Sequence, residues 1–116
     1  MISVDANGLL YPCTRFAQYS LRNKKAITIG DIDTGINQNK LRPFLSLDRV
    51  SQSSQECIDC EIASGCAWCQ GENYDAAETN TIFQRSTAIC KMHKARVRAN
   101  NYFWNKLRIM EESNNA

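Results

Sequence analysis

Six cysteines stand in this chain of 116 residues, four of them in one constellation, Cys57-x2-Cys60-x5-Cys66-x2-Cys69, with Cys13 and Cys90 alone on either side. Two thiolates three positions apart can meet one metal across a tight turn, so closely spaced pairs point to ligation of zinc or of an iron–sulfur cluster. A zinc ribbon separates its pairs by roughly 15 residues or more. Here five residues lie between the pairs, and wrapping all four thiolates around one ion would strain that connection. The ligands are therefore expected to divide between sites that distant cysteines complete. Cys90, at the start of a long helical pattern, is the fourth partner expected for the Cys57 group, because a helix N-terminus lowers a thiol pKa and favours the anionic ligand.

Other reaction chemistry is missing from the pattern. There is no glycine-rich phosphate loop, no HExxH and no Ser/His/Asp arrangement, and the single histidine, His93, rules out a two-histidine site. His93 lies three residues after Cys90 on the same helical face and is read as a packing or surface residue rather than a ligand. Trp68 and Tyr74 flank the constellation and are read as covers that keep solvent from it.

A chain of this length forms one domain with a thin core, so the cysteines are expected to act as its staples. Met1 to Leu10 shows no basic leader with an apolar stretch, and no run approaches the roughly 20 apolar residues of a membrane span. The expected location is cytoplasmic, where reducing pools disfavour structural disulfides and favour metal ligation, with a disulfide framework as the alternative. The net charge of +2 hides an asymmetry. From Ser51 to Gln84 there is no Lys or Arg but there are Glu56, Asp59, Glu61, Glu72, Asp75 and Glu78, whereas Lys91, Lys94, Arg96, Arg98, Lys106 and Arg108 follow without an acid between them. That basic helix is read first as a solvated or inter-domain face, then as a contact for a peptide or acidic partner, and last for RNA.

The elements that must position these residues form an α+β domain over 1–116. Ile2 and Val4 alternate with polar neighbours, and Asp5-Ala-Asn-Gly8 supplies turn chemistry before Leu9 to Pro12, so a β-hairpin delivers Cys13. The β-branched run Ile27, Thr28 and Ile29, closed by Gly30, predicts a third strand within 1–35, followed by a loop from Asp31 to Asn39. Leu41, Phe44, Leu45 and Leu47 predict a short helix over 39–49, with Pro43 acceptable only in its first turn. The cysteines at 57–69 are expected in loop folded around metal. Ile89, Met92, Ala95, Ala99, Phe103, Leu107 and Met110 predict a long helix over 86–110 that Ser86 or Thr87 caps, with a fraying tail. The run Tyr102, Phe103 and Trp104 is expected mostly in the core, with at least one ring facing outward.

The phrase Ser3-Val-Asp-Ala-Asn-Gly-Leu-Leu-Tyr-Pro-Cys13, the constellation ending Cys66-Ala-Trp-Cys69, and the stretch from Cys90 to Trp104 together resemble a SPASM domain. This is the cysteine-rich, auxiliary-cluster domain at the C-terminus of radical-SAM enzymes that modify ribosomally made peptides. The resemblance implies a distal [4Fe-4S] cluster on Cys57, Cys60, Cys66 and Cys90, and a proximal one that takes Cys13 and Cys69. The chain departs from the family pattern where Gly35, not cysteine, follows Gly30, and where the last spacing is x2 rather than x3. With only Cys13 and Cys69, the proximal site is absent, or borrows Asp31 or Asp33, or takes ligands from outside this chain. The implied role is support of substrate binding and electron transfer beside a radical-SAM barrel. The Cys-x3-Cys-x2-Cys motif that cleaves S-adenosylmethionine is absent, so the chain is not expected to be an enzyme by itself. The expected partners are that barrel and a precursor peptide, without membrane or nucleic acid. Zinc would satisfy the same thiolates in the isolated domain, and a zinc-stabilised protein- or RNA-binding module is the alternative reading.

Overall fold

The computed structural model describes residues 1–66, 68–79 and 81–116. Strands β1 (Ser3–Val4) and β2 (Leu9–Tyr11) pair antiparallel, and β3 (Gly30–Asp31) and β4 (Gly35–Ile36) extend the sheet in the order β1-β2-β3-β4. The first turn forms because the Asp5 carboxylate accepts the backbone N–H groups of Asn7 and Leu9 at 2.9 and 3.0 Å, while Gly8 takes φ +79°. Two single 3-10 turns, Thr14–Phe16 and Gln18–Ser20, follow β2. The helices are α1 (Gln38–Leu45), α2 (Gln55–Ile58), α3 (Gln70–Asp75) and α4 (Cys90–Asn114), which makes the architecture α+β. Among the described residues, no helix is long and apolar enough to cross a membrane.

The core is small and aromatic. Phe16 is fully buried, meets Phe44 of α1 edge to face at 5.0 Å between ring centroids, and packs against Tyr74 of α3 at 5.9 Å. Tyr11, Ala17 and Ile82 complete this cluster, which joins the sheet to α1 and α3. A charged layer beside it fixes α3. Asp75, with no exposed surface, accepts the backbone N–H groups of Arg22 and Asn23 at 2.8 to 2.9 Å, while Arg15 and Arg22 bridge to Glu72 at 2.6 and 2.7 Å. The polar stretch after the hairpin is thereby pinned to α3 and so to the segment that follows Cys69.

Several expectations give way here. The segment 31–39 is no loop, because Gly30 and Gly35 let the chain turn back within four residues and pair Gly30 with Ile36. The third strand begins at Gly30 rather than at Ile27, although Ile29 already donates to the Leu10 carbonyl at 2.8 Å. α1 ends at Leu45 and contains Pro43 in its second turn, where the missing N–H interrupts its ladder. The cysteine region holds α2 as well as turns, since Ser54 caps the N–H of Cys57 at 3.4 Å. α4 begins at Cys90 after an uncapped Ile89 rather than at a Ser86 or Thr87 cap, because the Ser86 hydroxyl instead donates to Glu78. Its end is helical to Asn114, past the expected fraying point.

The largest correction concerns the packing of α4. Tyr102, Phe103 and Trp104 are 67%, 55% and 66% exposed, so none of the three rings lies in the core. Among the described residues, the buried and half-buried positions of α4, Leu107 apart, gather in its first turns, around His93. The radius of gyration, 18.9 Å, far exceeds the roughly 13 Å of a compact chain this long, because the distal part of α4 projects into solvent.

Candidate metal centre

Two separated segments, 57–66 and the start of α4, bring four cysteines to one cavity. Cys57 arrives on α2, Cys60 and Cys66 on the turns that follow it, and Cys90 as the first residue of α4, and all four thiols line the same small cavity of about 40 Å³. They are close enough to act on one another electrostatically. Burial, then Cys57 and Cys66, then more weakly Cys60, push the Cys90 thiol pKa up, and only Lys94 opposes them. In the metal-free cavity, burial and the neighbouring thiols thus act on Cys90 against the lowering expected of a helix N-terminus. A cationic centre bound by the same sulfurs would reverse that balance.

The cavity is held in shape by a buried polar joint. Asn73 of α3, 3% exposed, donates to Gln52 Oε1 at 2.7 Å and accepts the backbone N–H of Ser86 at 3.0 Å. Gln52 in turn donates to the Asp48 carbonyl and accepts the backbone N–H of Arg85. The segment before α2, helix α3 and the approach to α4 are thus tied together at one point. A Cβ at Gly65 would lie 4.0 Å from Val97, so the turn that carries Cys66 rests on α4.

Two cationic side chains face the thiols. The Arg85 guanidinium donates to Cys66 Sγ at 2.9 Å and to Ser53 Oγ at 3.2 Å, and Lys94 lines the same cavity. A cubane with four thiolates carries a net charge of about −2, which such cations compensate. Glu56, Asp59 and Glu61 are exposed and do not line the cavity. Among the described residues, no three His, Cys, Asp or Glu side chains stand close enough together to hold a single metal ion.

The remaining sequence candidates are placed as follows. Cys69, the one exposed cysteine, borders the same cavity at the N-terminal boundary of α3. Cys13 does not line it, and packs instead against the aromatic core before the first 3-10 turn. No cysteine is in a disulfide. Asp31 accepts from the backbone N–H groups of Asp33 and Thr34 and from the Thr34 hydroxyl, so its carboxylate shapes the β3–β4 turn. Trp68 lines the cavity, but Tyr74 does not: its ring packs on Phe16 and its hydroxyl donates to the Lys25 carbonyl. His93 is the buried residue of α4 and lines the cavity, so of its two non-ligand readings the surface one does not hold and the packing one stands.

Sequence reasoning missed Arg85 and Asn73. Arg85 carried a signal, since it is the first basic residue after the acidic stretch. Asn73 carried none. Compared with known proteins, the chain matches no family model, no curated protein and no solved structure.

Proposed function

We propose that this chain is an auxiliary iron–sulfur domain of a radical-SAM enzyme that modifies a ribosomally made peptide, with a [4Fe-4S] cluster on Cys57, Cys60, Cys66 and Cys90. The observation that carries this reading is the convergence of four thiols from separate segments on one cavity beside Arg85 and Lys94. The donor set fits the group: four soft sulfurs, a partly dry cavity and compensating cations. Bound there, a cluster supplies one-electron storage between a substrate peptide and a catalytic barrel.

The chain's own residues do the rest. Asn73 ties the segment before α2 to the approach to α4, Arg85 orients Cys66, and Trp68 and Ile62 exclude water. The exposed aromatic and basic surface of α4 serves as the contact for the barrel and the peptide, because Tyr102, Phe103 and Trp104 are left without cover within this chain. A proximal second cluster on Cys13 and Cys69 would need ligands brought together from apart, because Cys69 borders the distal cavity and Cys13 packs on the aromatic core.

Single alanine variants test the assignment. Cys57→Ala and Cys90→Ala are expected to abolish iron retention after anaerobic reconstitution, and Cys13→Ala to retain it. Equal iron loss and equal melting in all three variants would defeat this ligand division.

A further inference from the structure

His93 has a buried ring without a hydrogen bond. It is 6% exposed, and among the described residues neither Nδ1 nor Nε2 has a partner; the only other such buried side-chain atom among them is Ser3 Oγ in β1. An imidazole carries at least one N–H in either protonation state, so a donor is stranded, at a cost of about 1–3 kcal/mol. The polar side chains around it are paired. Asn73 and Ser86, which line the same cavity, are engaged with Gln52, Glu78 and each other, and Arg85 is engaged with Cys66 and Ser53. Apart from Lys94, a donor without an acceptor oxygen, and the cysteines, the rest of the wall is apolar, with Ile62, Ala63, Ile89 and Trp68. A bridging water would need two to four polar partners and finds few that are free. What the ring shares the cavity with is sulfur. His93 lies one helical turn beyond Cys90, on the same face of α4.

We infer that His93 is a hydrogen-bond donor to the sulfur of the cluster, a positioning and tuning residue of the metal centre rather than one of its ligands. The inference rests on the auxiliary-cluster reading proposed above. Four thiolates already complete a cubane's ligand set, so a fifth protein ligand is not required. A stranded N–H that shares the cavity with those sulfurs gains an acceptor once a bound cluster brings sulfur within its reach. The bond is stronger to the more negative reduced cluster than to the oxidised one, so it raises the reduction potential.

Because His93 is the only histidine in the chain, 15N-histidine labelling marks this position alone. The full chain, reconstituted anaerobically with iron and sulfide and reduced with dithionite, is expected to show a weak 15N coupling to the cluster in pulsed EPR. His93→Leu is expected to keep its iron and sulfide content but to titrate at a more negative midpoint potential. His93→Gln, which keeps a side-chain N–H, is expected between the two. A missing 15N coupling in the loaded wild-type chain, or an unchanged potential in a fully loaded His93→Leu chain, overturns the inference alone. Iron loss in His93→Leu as complete as in Cys90→Ala, with the fold intact, also overturns it, because His93 would then be a ligand. A wild-type chain that takes up no iron and sulfide removes the cluster reading itself, and this inference with it.

Discussion

The guanidinium of Arg85 donates to Cys66 Sγ at 2.9 Å while its other nitrogen reaches Ser53 Oγ at 3.2 Å. One cation thus binds a proposed ligand to the segment before α2. Arg85→Met, which keeps the stem and removes the charge, is expected to lower the stability of the metal-free chain by about 1–3 kcal/mol, since hydrogen bonds from charged groups are lost. In the iron-loaded chain it is expected to move the midpoint potential to more negative values. Chemical denaturation and an anaerobic redox titration check the two effects separately.

Asn73 is the joint on which the cavity depends. Asn73→Ala leaves Gln52 Oε1 and the Ser86 N–H buried without partners, and is expected to cost about 2–4 kcal/mol. Urea denaturation of the metal-free chain measures this, and a loss below about 0.5 kcal/mol would mean that the three segments are held some other way.

The charged layer at α3 makes stability pH-dependent. Burial would raise the Asp75 pKa, but N–H donation from Asn23 and Arg22 and the charge of Arg15 hold it down to about 2, from an ordinary 3.8. A carboxyl with a lowered folded-state pKa stabilises the fold above its unfolded value, and the contribution is lost as pH falls through the folded value. The expected window runs from pH 3.8 down to about 2, with roughly 2 kcal/mol at stake. Asp75→Asn is expected to be less stable at neutral pH and to show a flatter stability profile across that window.

Two glycines of one turn differ in what they tolerate. A Cβ at Gly30 would stand 2.1 Å from the Gly35 carbonyl oxygen, whereas at Gly35, with φ +81°, it meets nothing within 4 Å. Gly30→Ala is expected to open the β3–β4 pairing at a cost above about 2 kcal/mol, and Gly35→Ala to cost only about 1–2 kcal/mol from the left-handed backbone. Comparable melting temperatures for the two variants would count against this sheet edge.

What was legible in the sequence follows from how far each signal reaches. Asp5 to Gly8 is a local turn whose side-chain acceptor and glycine act within a few residues, and it forms as read. β4 and α3 were invisible because a strand of two residues has no period and Gln70–Asp75 has no apolar stripe; tertiary partners make them. The periodicity of α4 predicted a helix but not its environment, since the same spacing serves a core or a face left open, and here Phe103 and Met110 are exposed. His93 carried the opposite lesson: three residues from Cys90 it was within reach of the site, yet its burial depends on turns whose fold is not periodic.

The most direct test of the central claim is the metal content of the chain purified anaerobically, with iron, acid-labile sulfide and zinc counted per chain and visible absorption recorded on the same sample. The account predicts about four irons and four sulfides with cluster absorption. Zinc alone, with no cluster formed on reconstitution with iron and sulfide, would contradict it and leave a zinc-stabilised module that engages its partner through the basic face of α4.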